Sequence, residues 1–234
     1  MGKINSNTKV DIAAFIYARS DSVRLPRKVF LPLGNESIIE VVLRRAKACL
    51  VDKVVLLTSD RAIDDELVEK AIKLNYEIIR GDSKDLIART LNAIEVIKPK
   101  QFVRINADSP FFEPRLLNFI LEKNLNYDVI TNLLNRTFPY GVAVEVINCN
   151  YYKAMAGVAM ENEKEHVTQH IYRTINNAKL LQLEQLNNHS HIRLTIDEKE
   201  DYNNIDKLWK KMKNDLSSYW EVLGLAEPSF VFKT

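Results

Sequence analysis

Apolar and polar positions alternate along this chain in two distinct rhythms. Residues 10–18, VDIAAFIYA, are almost continuously apolar, as expected for a strand covered on both faces. Residues 36–50 carry apolar side chains at helical spacing, with Ile38, Ile39, Val42, Leu43, Ala46 and Leu50 on one face. The rhythm then repeats: a buried strand at 53–59, an amphipathic helix at 64–75 with acids in its first turn, and a short strand at 76–80. A helix at 84–97 and a strand at 101–107 follow. Four strand–helix alternations at roughly 20- to 30-residue intervals predict βαβ units and a mostly parallel sheet. Ligands in such sheets bind beyond the carboxyl ends of the strands.

The second half reads differently. Strands are predicted at 127–132 and 141–148, where Val142, Val144 and Val146 face one way and Ala143 and Glu145 the other. Helices are expected at 149–160 and 163–176, strand-like pieces near 179–184 and 191–196, and a helix near 199–213. The stretch after 213 is expected to pack its aromatic side chains on the body. No linker, repeat or low-complexity block interrupts the pattern, so one domain over residues 1–234 is expected, with 1–9 frayed.

Composition narrows this picture without redirecting it. The chain is 46% hydrophobic and 27% charged, that of a globular protein with a sizeable core. A formal net charge of +2 is too small for a protein that coats itself in nucleic acid, so anion binding must come from local clustering. Cys49 and Cys149 make neither a disulfide framework nor a metal pair and read as reduced core thiols in a cytoplasmic protein. No leader-like or membrane-spanning apolar stretch is present, so no membrane insertion is expected.

Three informative stretches fall at expected strand ends: the basic loop after the first strand, Thr58-Ser59-Asp60 after the second and Asp108 after the fourth. The loop ARSDSVRLPRK, residues 18–28, sets Arg19, Arg24, Arg27 and Lys28 against one acid. Such a loop is either an ordinary solvated connection or a cradle for a polyphosphate, in which Arg grips oxygens with a fork and Lys supplies a point charge. It is neither a Walker A loop nor a GxGxxG loop. Asp108 ends a buried strand and suits either Mg²⁺ or a turn or N-cap role, and Asp197, between a strand and a helix, is open to the same two readings. His166 and His170, four apart, share a helical face on this reading but lack the Glu of a zinc motif. Glu165 and His166 read instead as pocket-wall or structural residues.

Taken together, these stretches resemble the SpsF-type cytidylyltransferases, relatives of the KDO and acylneuraminate cytidylyltransferases. ARSDSVRLPRKVFLPLG resembles the family's ARxxSxRLPxKxxxxL, and KVVLLTSD its second-strand motif. RGDSKDLIART, RINADSPFFEP, FPYGVAVEVI, KEHVTQHI and IRLTIDEKEDY follow in the family's order over about 190 residues. The resemblance implies an α/β, three-layer nucleotidyltransferase fold, glycosyltransferase A-like, with a mostly parallel central sheet. It implies transfer of CMP from CTP to a sugar acid or related polyol, with release of pyrophosphate, in cell-surface polysaccharide biosynthesis. It places phosphate contacts on Arg19, Ser22, Arg24 and Lys28, and Mg²⁺ on Asp108 and Asp197. The cytosine would lie near Thr58, Ser59, Gly81 and Arg89, and the small sugar-like acceptor near Tyr140, Glu145, Glu165 and His166. A homodimer is also implied. Two alternatives stay open: a sugar 1-phosphate acceptor, and a non-catalytic nucleotide-binding subunit of the same fold. The chain departs from the pattern at Arg27, where a glycine is common and a further charge near the phosphates is expected. It departs also at Ala107, at Ser109, and at Tyr140 and Ala143, where acids are usual.

Overall fold

The computed structural model describes residues 10–123 and 125–233; the expectation for residues 1–9 lies outside them. The first half follows its pattern closely. Strand β1 (Ile12–Tyr17) leads through the basic loop to a small hairpin, β2 (Pro32–Leu33) and β3 (Glu36–Ser37), and into helix α1 (Ile38–Lys47). Glu40 reaches back to the Ser37 amide, 2.7 Å away, and so sets the start of α1. Strand β4 (Lys53–Ser59), helix α2 (Asp65–Lys73), strand β5 (Glu77–Gly81), helix α3 (Leu86–Ile97) and strand β6 (Gln101–Asn106) come next. Leu50 is a correction: α1 stops before it, and it is half exposed.

Helix α4 (Pro114–Glu122) is an element that the two bending prolines concealed. Pro114 occupies its first turn, where a missing N–H costs nothing, and the Glu113 side chain accepts the Arg115 amide. Then come β7 (Val129–Thr131), β8 (Glu145–Asn148) and α5 (Cys149–Ala156). Val142, Val144 and Val146 are all buried as the alternation requires, although the regular strand begins only at Glu145. The helix expected over 163–176 is reduced to α6 (Gln169–Arg173) between short 3₁₀ turns. His166 therefore lies before the helix, and the shared helical face expected for His166 and His170 does not exist. Strand β9 (Leu180–Gln185) and helices α7 (Lys199–Trp209) and α8 (Tyr219–Leu223) precede β10 (Phe230–Lys233), which pairs with β9. The segment 191–196 forms an isolated bridge, Tyr140 to Arg193, and further backbone bonds, but no regular strand.

The eight-stranded sheet runs β10-β9-β7-β8-β6-β1-β4-β5. β1 pairs in parallel with both β4 and β6, and β8 and β10 run against their neighbours. One face carries a core with α1, α2, α4, α7 and α8; the other carries a smaller core with α3, α5 and α6. These are the three layers. Both cysteines are buried and free, and burial pushes each thiol up to about 12.

Candidate active site

Because β1 and β6 are adjacent and parallel, Tyr17 lies beside Asn106 and the two following segments leave the sheet together. The loop after β1 is held in shape by its own backbone: the Arg27 amide donates to the Ser20 carbonyl (3.1 Å) and the Lys28 amide to that of Leu25 (3.2 Å). Its base is fixed by Asp64, a fully buried acid whose Oδ1 accepts the Ser20 amide at 2.7 Å and which also takes the Ser59 hydroxyl. Burial alone would raise the Asp64 carboxyl, but hydrogen bonds from Ser59 and Ser20 hold it below the usual carboxylate range.

Backbone contacts also bring the two distant aspartates together. The Ile196 amide donates to the Asp108 carbonyl at 2.8 Å, and the Thr195 hydroxyl to the same oxygen at 3.2 Å. Neither aspartate caps a helix. Glu113 caps α4, and Asp201 of α7 accepts the amides of Asp197 and Glu198 at 2.9 and 3.0 Å. Both carboxylates are thus left for the cleft. There they meet on a single point, the ammonium of Lys28, 2.8 Å from Asp108 Oδ2 and 3.2 Å from Asp197 Oδ1. The Ile196 carbonyl completes the set at 2.7 Å. The two carboxylate oxygens cannot be further apart than the sum of their distances to that nitrogen. Arg24 shares Asp197 Oδ1 with Lys28, at 3.2 Å, and Arg193 holds Oδ2 at 2.6 Å. Burial would raise the Asp197 carboxyl, but Lys28, Arg24 and Arg193 together lower it.

These groups line a cleft of about 380 Å³. Its lining takes Arg19, Ser22, Arg24 and Lys28 from the basic loop, Asn106 and Asp108 from the end of β6, Asp197 from the segment before α7, Ser83, Leu86 and Arg89 from the start of α3 and the turn before it, and Glu165 and His166 from the stretch before α6. Of the residues named from sequence, Arg19, Ser22, Arg24, Lys28, Arg89, Asp108, Glu165, His166 and Asp197 are brought together. Arg89 does not pair with Asp85. Its guanidinium donates to the Asp82 carbonyl, while Asp85 accepts the Ala88 amide and starts α3.

Five positions are corrected. Thr58 and Ser59 are buried beneath the loop, with the Ser59 hydroxyl engaged by Asp64, and neither lines the cleft. Gly81 stands behind Arg89, where a Cβ would come within 3.1 Å of the Arg89 stem. Glu145 has no exposed surface, and its carboxylate is already taken by Arg104, Thr168 (2.9 Å) and Tyr172 (2.8 Å). Tyr140 does not line the cleft; the guanidinium groups of Arg136 and Arg193 lie over its ring at 4.5 and 5.0 Å. Arg27 is also misplaced by the sequence reading. It adds no charge near the cleft, because both terminal oxygens of Glu66 hold its Nη2 at 2.8 Å.

Sequence reasoning passed over Tyr17, Ser83, Asp64 and Arg193. Asp64 and Arg193 act through partners that no local pattern links to them. Among the described residues, no group of three or more His, Cys, Asp or Glu side chains converges as a metal cluster. Two carboxylates nevertheless suit Mg²⁺, which keeps several sites for water and phosphate. The ammonium of Lys28, ringed by three oxygens, marks their meeting point as fit for a cation.

The three-layer fold, with Asp108 after β6 and Asp197 after the 191–196 segment meeting at a cationic loop, is that of a nucleotidyltransferase. The profile of the family described as cytidylyltransferase matches residues 13–222. The chain therefore belongs to the cytidylyltransferase family, whose enzymes are CTP-dependent nucleotidyltransferases. It is 32% identical over 211 residues to the spore coat polysaccharide biosynthesis protein SpsF of Bacillus subtilis (strain 168), covering 86% of this chain and 87% of that one. A 3-deoxy-manno-octulosonate cytidylyltransferase of Rickettsia bellii is 29% identical over 129 residues, 52% of this chain and 51% of its own. A solved cytidylyltransferase of Leptospira borgpetersenii superposes with a TM-score of 0.87 at 28% identity, covering 92% of each chain. No helix among the described residues is long and apolar enough to cross a membrane.

Proposed function

We propose that this enzyme transfers CMP from CTP to a hydroxyl of a sugar acid or related polyol, with Mg²⁺ between Asp108 and Asp197, and releases pyrophosphate. The observation that carries the reading is the convergence of those two carboxylates on the Lys28 ammonium, in a cleft also lined by Arg19 and Arg24. The relatives' names support the acceptor class, since two of them act in polysaccharide or octulosonate chemistry.

The chain's own groups divide the work. Arg19, Ser22 and Arg24 bind the triphosphate tail, and their charge stabilises the pyrophosphate as it leaves. Asp108 and Asp197 would hold the metal, which when bound would supply positive charge against the charge that develops on the phosphates. Arg89, Ser83 and Leu86 form the wall against which the nucleoside lies. Glu165 and His166 close over the reacting atoms and limit water. The acceptor hydroxyl attacks in line with the departing pyrophosphate, so positioning and electrostatics supply most of the acceleration.

Pyrophosphate release tests this, measured with CTP, ATP, GTP and UTP in Mg²⁺ across a panel of sugar acids and sugar 1-phosphates. CTP with a sugar acid should turn over. Turnover only with a sugar 1-phosphate would replace the acceptor, and CTP binding without release from any acceptor would favour a non-catalytic subunit.

A further inference from the structure

We propose that Lys28 occupies the metal position in the nucleotide-free protein, and that a divalent cation binds only when this ammonium is drawn away. The inference rests on the reading of Asp108 and Asp197 as the metal pair.

The nitrogen of Lys28 has three oxygen neighbours: Asp108 Oδ2 at 2.8 Å, the Ile196 carbonyl at 2.7 Å and Asp197 Oδ1 at 3.2 Å. An ammonium has three donors, so all of them are engaged. A Mg²⁺ ion bound to the same two carboxylates needs oxygens at about 2.1 Å. It would have to sit in the space that the nitrogen fills. The two cations therefore exclude each other by volume as well as by charge. Arg24 differs in this respect. It touches the same Asp197 oxygen at 3.2 Å but reaches outward to Glu198 at 3.3 Å, and it makes no contact with Asp108.

The Lys28 ammonium sits on a longer and more flexible stem than either carboxylate. The side chain is a four-carbon arm on a short 3₁₀ turn that also lines the cleft wall with Arg19, Ser22 and Arg24. The aspartates are fixed by backbone bonds between residues 108 and 195–196 and by Asp201. Phosphate oxygens entering the cleft offer Lys28 a new set of acceptors. Leaving the carboxylates, it opens the site to the metal that the triphosphate carries. Metal and nucleotide then bind as one, and the ammonium returns to protect the bare carboxylates once the products leave. A lysine that lay nearby only to bind phosphate would affect nucleotide-free metal affinity through its charge alone, as Arg24 does.

Mn²⁺ binding, followed by the electron paramagnetic resonance signal of the free ion, tests this without turnover. Nucleotide-free wild type should bind Mn²⁺ weakly. Lys28→Met and Lys28→Gln should each bind it at least about tenfold more tightly, ~1.4 kcal/mol. Adding Asp108→Asn to Lys28→Met should abolish the gain. Arg24→Met, which removes a charge at the same Asp197 without vacating the point between the acids, should give a markedly smaller gain. Tight binding by nucleotide-free wild type would overturn the proposal. So would unchanged affinity in the Lys28 variants, or an equal gain in Arg24→Met. Should both Lys28 variants fail to fold, the wild-type measurement still decides. Adding CTP to wild type should tighten Mn²⁺ binding. If it does not, while the Lys28 variants behave as expected, the nucleotide reading fails and the exchange at the aspartate pair stands.

Discussion

Arg27 and Asp64 illustrate how single residues shape the cleft from outside it. Arg27 has φ of 59°, the left-handed region that a glycine enters freely and other residues enter at roughly 1 kcal/mol. This explains why a glycine is common at that position: the turn needs the conformation, and the side chain is incidental. Arg27 spends its charge on Glu66 and lies over the Phe30 ring. Arg27→Gly is therefore expected to leave CTP affinity within about twofold, measured by calorimetry, whereas a phosphate-binding arginine would cost about tenfold or more. Asp64 works in the opposite sense. Its carboxylate accepts the Ser20 amide and so anchors the loop's first turn. Asp64→Asn should lower stability by about 1–3 kcal/mol and weaken CTP binding by loosening the loop. Its folded carboxyl binds a proton less readily than the ordinary value of 3.8. Its contribution is thus fully present above about pH 4 and fades as the pH falls through the lowered folded value. Acid unfolding of wild type and Asp64→Asn should accordingly converge at low pH, and a constant gap between them would remove Asp64 as the anchor.

At the scale of elements, strands β6 and β8 carry an ion pair between the half-buried Arg104 and the fully buried Glu145, which ties the half bearing β1 and β6 to the rest of the sheet. The Glu145 carboxylate also accepts Thr168 and Tyr172, so one buried acid joins two strands to the segment bearing His166. Glu145→Ala would leave the half-buried Arg104 without its partner and should cost about 3–5 kcal/mol. Thermal or denaturant unfolding measures this, and a loss below ~1 kcal/mol would show the carboxylate to be dispensable. The same elements show why sequence reading succeeded in part. Each strand and helix of the first half declares itself through its own apolar period, and the acids at their ends could be read directly. Helix α4 did not, because Pro110 and Pro114 read as breaks, although the second of them is a helix-starting proline. The 163–176 stretch failed for the converse reason. Its spacing is helical, but the chain turns at Glu163, whose carboxylate takes the Arg173 guanidinium at 2.7 Å, and only Gln169–Arg173 stays regular. In the cleft, Arg24 and Lys28 could be read because they crowd one loop, and Asp108 and Asp197 because each follows an apolar extended-looking run. Glu145 was misread because an acid in an alternating strand gives no local sign that three donors from elsewhere will consume it.

At the scale of the molecule, what local pattern could not supply is the order of strands, and with it the role of the last residues. β10 covers the outer edge of β9 with registered pairs from Phe230–Gln185 to Lys233–Gln182. Its rings meet Phe119 of α4, with centroids at 5.2 Å for Phe230 and 6.1 Å for Phe232. A contact between β9, α4 and a segment more than forty residues beyond β9 leaves no trace in a window of a dozen residues. Deleting residues from Glu227 onward would uncover the β9 edge and the Phe119 ring together. Two aromatic contacts at about 0.5–1.5 kcal/mol each suggest a loss of roughly 1–3 kcal/mol, or roughly 2–10 °C in melting temperature for a chain of this size. The bared edge should also promote association between chains. The cleft lies at the ends of β1 and β6, on the far side of β7 and β8 from this edge, so CTP affinity in the folded fraction should be unchanged. Both core clusters pack on one continuous sheet, and the shortened chain should therefore still melt in a single calorimetric transition, at lower temperature. Two separate transitions would mean that the β10–β7 side unfolds on its own, and that the enzyme is built of two units joined at β8 and β6 instead of one.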